Sequence, residues 1–330
     1  MSTKYSVGII GAGKIAQVRH IPEYINNGQA ELLAICDKTI SRAVDVAKEH
    51  NIPHVSDNYL DIVNSPEIDA ISICTPNKEH WSIAVKALNA GKHVLIEKPI
   101  ATTTEECREI YRLAAKNNKV VMVGHNQRFS PVHKRVKKLI DQKEIGDIIQ
   151  FTTNFKHGGP KNWSVEGNNT WFLHKDSAHF GVLGDLGIHK IDLFQWFLDD
   201  LVKDSKCFTT DKDSSSTEEN AVIILKMSKG VIGTISLSWN NPSQDHRTVI
   251  YGKKGTIVFG ESYYGIEIFY HNGMKKNIEV QPNLRNDGFS NSGVIDQFIN
   301  EISCRCHSFI SDKEVENSLE TIIRLSNTSN

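Results

Sequence analysis

The sequence predicts an α/β domain with a doubly wound parallel sheet, followed by a second, α+β domain. Three observations predict this. Up to residue 125, short β-rich runs alternate with helical patterns, the grammar of βαβ units with helices on both faces of a sheet. The first of these runs passes directly into Gly11-Ala12-Gly13-Lys14-Ile15-Ala16. From residue 206 onward, strands and tight turns take over.

The strand runs of the first domain are Ser6–Ile10, Glu31–Cys36, His54–Val55, Ala70–Cys74, His93–Ile96 and Val120–Val123. Between them Trp81, Ala84, Val85 and Leu88 follow helical spacing, with Gly91 at the C-cap position. Thr103-x-x-Glu106 reads as a capping box opening a helix that buries Ile110, Leu113 and Ala114. Pro22 should end or kink the first helix. The domains are set at 1–126 and 127–330. In the second, a basic helix over 131–142 precedes a strand near 148–154 and a loop over 158–169 rich in Gly, Asn and Trp. A helix near 184–198 follows. Ala221–Met227 and Val231–Trp239 flank the turn Ser-Lys-Gly, Gly252 to Gly255 make another turn, and Asn272-Gly273 signals a hairpin. Thr209–Asn220 reads as a Ser-rich, acidic, solvated loop, and Val294–Cys304 and Glu314–Leu325 as closing helices.

The 330 residues exceed one ordinary core, and 39% apolar with 23% charged residues exclude a disordered chain, a collagen-like fibre and a coiled coil. Lys plus Arg number 38 against 39 Asp plus Glu. Without a basic excess, nucleic acid is not an expected partner. No apolar run approaches the roughly 18–20 residues of a membrane span, and Met1–Lys4 leads into Val7–Ile10 without a signal-peptide pattern. Six scattered cysteines without a C-x-x-C pair point to a reducing cytoplasm.

The Gly11–Ala16 segment is the pattern of a phosphate-binding turn, although glycines also mark purely structural turns. Gly11 permits the tight turn, Gly13 lets backbone approach a pyrophosphate, and Ala16 allows close helix packing; Lys14 and Ile15 open the helix beside the phosphates. Asp37 ends the second strand 21 residues after Ala16, where a carboxylate accepts from the ribose 2′-hydroxyl and repels a 2′-phosphate. NAD is therefore expected over NADP, with Lys38 and Arg42 close enough to serve a phosphate instead. Glu97 and Lys98 stand at the end of a strand, aimed at the cofactor cleft or forming a surface ion pair.

At the head of the 184–198 helix, Asp185, His189 and Asp192 share one face at about 100° per residue: His189 lies ~40° to one side of Asp185 and Asp192 ~20° to the other. An imidazole between two carboxylates suits a general base; a capping Asp with a satisfied His is the structural alternative. No further His or Cys joins them at zinc-ligand spacing, so no metal is expected.

The chain resembles the Gfo/Idh/MocA oxidoreductases, the family of glucose–fructose oxidoreductase and inositol dehydrogenase. The likeness rests on the Gly11–Ala16 loop, Thr75-Pro76-Asn77-x-x-His80, Glu97-Lys98-Pro99, Gly124-His125-Asn126-Gln127-Arg128-Phe129 and Asp185-x-Gly187-x-His189-x-x-Asp192. The resemblance implies a Rossmann domain plus a domain on a large, mostly antiparallel sheet whose exposed face makes a homodimer or homotetramer. It implies catalytic roles for Lys98, Asp185 and His189, and cofactor contacts from Thr75, Asn77, His80, Glu97 and Asn126. Substrate contacts from Gln127, His157, Trp163 and Asp192 are weaker expectations. Two departures stand out. His179-Phe180-Gly181 replaces a common glycine triplet, and Gln127 replaces a frequent Arg.

The implied reaction is hydride transfer between NAD and a secondary alcohol of a sugar, inositol or related polyol. A redox-neutral glycosidase using bound NAD, a dihydrodiol- or biliverdin-type dehydrogenase with an apolar pocket, and a non-enzymatic nucleotide sensor are the alternatives.

Overall fold

The protein is described from a computed structural model, which covers residues 4–210, 216–304 and 308–328. It divides into two compact units. One comprises the residues up to His125 together with Leu284–Glu316; the other comprises Asn126–Asn283 and the residues from Asn317.

In the first unit, β1 (Tyr5–Ile10), β2 (Ala30–Cys36), β3 (His54–Ser56), β4 (Ala70–Ile73), β5 (His93–Ile96) and β6 (Val121–Val123) form one parallel sheet in the order β3-β2-β1-β4-β5-β6. Chain order reverses between β1 and β4, so the turns leaving these two strands open at the switch point where such sheets bind dinucleotides. β4 and β5 are buried along nearly their whole length, as continuous apolar runs covered on both faces must be.

The connecting helices are α1 (Ile21–Asn26), α2 (Ile40–His50), α3 (Tyr59–Val63), α4 (His80–Asn89) and α5 (Thr104–Lys116). Pro22 does not end the first helix. A wide π turn over Ala16–His20 runs into α1, which takes Pro22 in its first turn, where a missing N–H costs least. On α4 the buried stripe is His80, Ile83, Ala84, Ala87 and Leu88, so Trp81 and Val85 flank it. The Thr103–Glu106 capping box forms as read from the sequence.

A single cut at residue 126 does not describe the packing, because α9 (Val294–Cys304) and the first turns of α10 (Asp312–Thr328) belong to the first unit. Polar ties fix them there. Glu23 accepts from the Ser292 N–H and hydroxyl at 2.7 and 2.8 Å, Asn27 donates to Asp296 at 2.7 Å, and Arg108 pairs with Glu316 at 2.6 Å.

The second unit is built on an eight-stranded sheet. Its strands are β7 (Ile148–Lys156), β8 (Val202–Thr210), β9 (Asn220–Met227), β10 (Ile232–Ser238), β11 (Thr248–Gly252), β12 (Gly255–Phe259), β13 (Gly265–Tyr270) and β14 (Lys275–Glu279), ordered β14-β13-β12-β11-β7-β10-β9-β8. Every pairing is antiparallel except β7 with β10. The Asn272-Gly273 hairpin joins β13 to β14, with Gly273 at φ +83°. Of the Ser-rich loop, residues 211–215 lie outside the described residues.

β9 shows the alternation of a one-sided sheet: Ala221, Ile223, Leu225 and Met227 point inward and Val222, Ile224 and Lys226 outward. On the inner face Phe151 of β7 stacks on Phe194 of α8 (Ile188–Leu198) at 3.5 Å between centroids. Gly233 of β10 makes room for that ring, since a Cβ there would lie 1.9 Å from Phe151. The remaining helices are α6 (Pro131–Asp141) and the single turn α7 (Lys175–Ala178). A second π turn, Leu183–Gly187, leads into α8.

Candidate active site

The turn after β1 can contain only glycine at its first position. Gly11 has φ +97°, and a Cβ on it would sit 2.5 Å from the Cys74 carbonyl oxygen. At Gly13 a Cβ would meet nothing within 4 Å, so the backbone there is open to a ligand. Lys14 is exposed and Ile15 half-buried at the start of the helix. Asp37 closes the cradle from β2: its Oδ2 accepts from the Ala12 N–H at 2.9 Å and its Oδ1 from the Thr39 N–H at 2.8 Å. Arg42 lies 3.3 Å from both oxygens, and Lys38 pairs with Glu79. Both cations that could have served a 2′-phosphate are thus engaged with carboxylates. The Thr75 hydroxyl, at the end of β4, is buried with no hydrogen-bond partner. A tight glycine turn, an open backbone edge and an orphaned hydroxyl at the switch point fit a dinucleotide.

Glu97 and His80 have inward tasks. The Glu97 carboxylate is buried, taking a hydrogen bond from His20 Nε2 at 2.9 Å and the Lys98 N–H at 3.3 Å, with Arg19 3.7 Å away. Burial alone would raise its pKa, but His20, Arg19 and Lys98 together bring it down to about 2. Burial likewise works against the His20 cation, yet Cys74 and Glu97 lift it to about 10. Ser72 lies 3.4 Å from the other nitrogen of His20 and 2.7 Å from the Tyr24 hydroxyl. The result is a buried polar network beneath the Glu97-Lys98-Pro99 turn, which leaves Lys98 half-buried at the strand end. His80 faces the carbonyls of Pro99 and Thr75 at 2.7 and 2.9 Å, and burial pushes its pKa below the ordinary value. It fastens two turns together. Asn77 is buried beside it in sequence, on the short turn before α4.

The second unit gathers the other candidates around α8. Asp185 stands in the π turn, where the rotation per residue differs from the 100° assumed, and accepts from the Trp239 indole N–H at 3.1 Å. His189 is buried one turn further, its ring 6.1 Å from that of Phe155. Asp192 does not flank a pocket. It is fully buried, and Arg128 grips both its oxygens at 2.9 and 2.6 Å. The Asn126 and Gln127 side-chain oxygens are buried without partners, while the Gln127 carbonyl accepts from His133 at 2.7 Å. His157 accepts the Gly159 N–H at its Nδ1, at 2.9 Å. Trp163 packs edge-on against Phe172, 5.0 Å between centroids, and Phe172 meets Trp239 at 6.3 Å. Among the described residues no cluster of three His, Cys, Asp or Glu could hold a metal ion, and no helix is long and apolar enough to cross a membrane.

Two family models match, the GFO/IDH/MocA oxidoreductase model with its NAD-binding Rossmann fold over residues 5–125 and the matching C-terminal domain model over 133–258. A Saccharomyces cerevisiae protein, YMR315W, is 30% identical over 258 residues, covering 76% of this chain and 73% of its own. The chain belongs to the GFO/IDH/MocA oxidoreductase family. Residues 5–125 are therefore an NAD-binding Rossmann domain. The D-glucoside 3-dehydrogenase of Escherichia coli is 31% identical over 198 residues, 60% of this chain and 55% of its own. The fold matches a levoglucosan dehydrogenase solved with NADH and levoglucosan at a TM-score of 0.86 and 20% identity, over 99% of this chain and 97% of that one.

Sequence reasoning missed the partners that hold the candidate residues within each unit: His20, Tyr24 and Ser72 under Glu97 in the first, and Arg128 against Asp192 and Trp239 on Asp185 in the second. Arg128 alone carried a signal, being part of the Gly124–Phe129 motif. The others carry no local signal, since their partners lie 48 to 77 positions away.

Proposed function

We propose that this oxidoreductase interconverts a secondary alcohol and a ketone on a sugar, inositol or related polyol, using NAD. Bound NAD supplies a hydride acceptor for the carbinol carbon. His189 accepts the hydroxyl proton, Lys98 donates to the alcohol oxygen and stabilises the charge developing there, and Asp185, fixed by Trp239, orients the substrate. Asn126 and Gln127, with unpartnered buried oxygens, offer acceptors to hydroxyl-rich ligands. The observation that carries the reading is the Gly11–Asp37 cradle together with a buried histidine, His189, beside a carboxylate-bearing turn. The sugar-acting relative and the levoglucosan-bound structural match support the substrate class.

The test is a panel of sugars, inositols and sugar acids with NAD and NADP, followed at 340 nm. NADH formation with at least one polyol is expected; turnover without net NADH would favour the redox-neutral glycosidase. We place the protein in the cytoplasm, on the buried free thiols Cys36, Cys74 and Cys107. We also place a homodimer or homotetramer on the outer sheet face. It exposes Phe208, Val222, Ile224 and Ile232, more apolar surface than a solvated sheet face usually carries.

A further inference from the structure

The second unit contains a buried ammonium that the mechanism above does not use. Lys190, next to His189 on α8, is 3% exposed. Among the described residues its Nζ makes no hydrogen bond, and no carboxylate lies within 4 Å; it stands 5.3 Å from the centre of the Phe155 ring. Lysine is almost never buried this far without a partner, because stripping water from an ammonium is expensive. A cation–π contact offsets only part of that cost.

The surroundings indicate what is missing. Phe155 is itself only half-buried, and three imidazoles ring it: His246 at 5.0 Å, His157 at 5.9 Å and His189 at 6.1 Å between centroids. Asp245 is the acid that acts on Lys190, but its oxygens already accept from the Asn154 amide and the Arg247 N–H at 2.7 and 3.1 Å. Burial brings Lys190 down to about 8, so it stays mostly charged at neutral pH. Burial first, and then the charge of Lys190, hold His246 at about 4 and His133 at about 3, as neutral rings. Lys190 is a cation beside the neutral rings of His246 and His133, over the aromatic face of Phe155.

We propose that Lys190 is the anchor of an anion subsite, so that the polyol taken by the second unit carries a carboxylate or phosphate group. The inference rests on reading that unit as the substrate half. An anionic oxygen would accept a charge-assisted hydrogen bond from Lys190 Nζ, with His246 as a neutral neighbour able to donate to it.

The experiment is calorimetric titration of the full chain, saturated with NADH, with D-glucuronate, glucose 6-phosphate and D-glucose. Wild type should bind one of the anions about 10–100-fold more tightly than glucose, the range of one charge-assisted hydrogen bond. The better of the two anions names the group. Lys190→Met keeps the apolar stem and removes the burial cost, so it should fold, and it should erase the anion-to-glucose ratio; Lys190→Arg should retain part of it. Equal binding of anions and glucose by wild type overturns the proposal. So does a Lys190→Met variant that keeps the ratio, or one that weakens glucose and anions alike, as loss of a structural or proton-transfer lysine would. Turnover with NAD is followed in parallel. Its absence with every polyol would remove the dehydrogenase reading, while the calorimetric ratio would still decide the anion subsite.

Discussion

Replacing Asp192 by Ala takes the carboxylate from a guanidinium that is 1% exposed. Arg128 reaches both oxygens of Asp192, at 2.9 and 2.6 Å, and Asp192 is wholly buried. Removing one partner of such a pair leaves an uncompensated buried charge, at a cost of about 3–5 kcal/mol. For a unit of this size each kcal/mol shifts the unfolding midpoint by about 2–4 °C, so a fall of roughly 6–20 °C is expected. Replacing both residues by apolar ones of similar volume, Arg128→Met with Asp192→Leu, should recover most of the loss, because neither charge is then desolvated. Thermal and urea unfolding of the two single variants and the double variant complete the cycle. Wild-type stability for Asp192→Ala would refute the reasoning, as would a double variant that loses the sum of the singles. A stable Asp192→Ala enzyme with weakened substrate affinity would return Asp192 to the pocket.

Asp37→Ala should narrow the preference for NAD over NADP, read as the ratio of kcat/KM values; an NADP preference in the wild type would contradict the role given to Asp37. Lys98→Ala should lower kcat by about 10²–10³ with NAD affinity little changed, since its donation counts most as charge develops on the oxygen. The His20–Glu97 pair predicts a pH dependence of stability. Glu97 is held at about 2, below its ordinary 4.5, so its contribution is complete above pH 4.5 and lost as pH falls toward 2. His20 is held at about 10, above its ordinary 6.5, so its contribution is complete below pH 6.5 and lost as pH rises toward 10. Glu97→Gln should abolish the acid arm of the unfolding-temperature profile and weaken the alkaline arm only in part, since Cys74 also lifts His20; an acid arm of unchanged slope would show that Glu97 does not carry it.

What could be read from the sequence was what local chemistry dictates. The phosphate turn was legible because Gly11 is forced by backbone geometry and Gly13 leaves the backbone open to a ligand, and the Thr103–Glu106 box because both partners lie within one turn. The doubly wound parallel sheet followed from the alternation of strand and helix runs. Asp192 was misread for a physical reason: a helical wheel gives the face of a residue but not what packs on that face, and Arg128 comes from a turn 64 positions earlier. The π turns at Ala16–His20 and Leu183–Gly187 also escaped, since a fixed rotation per residue cannot register them. Nothing in the helical spacing around Lys190 marks it out. Only the fold, which lays α8 over Phe155, reveals it as a buried charge.

The central claim is that this chain moves a hydride from a polyol carbinol to NAD with His189 as the base. Its most direct test uses a polyol from the panel deuterated at the carbinol carbon, with mass analysis of the recovered NADH for wild type and His189→Ala. Wild type should yield NADH carrying one deuterium, faster as pH rises through a single deprotonation, and His189→Ala should lose both the rate and that pH limb. NADH without deuterium, or a His189→Ala enzyme that keeps wild-type rate and pH profile, would contradict the account.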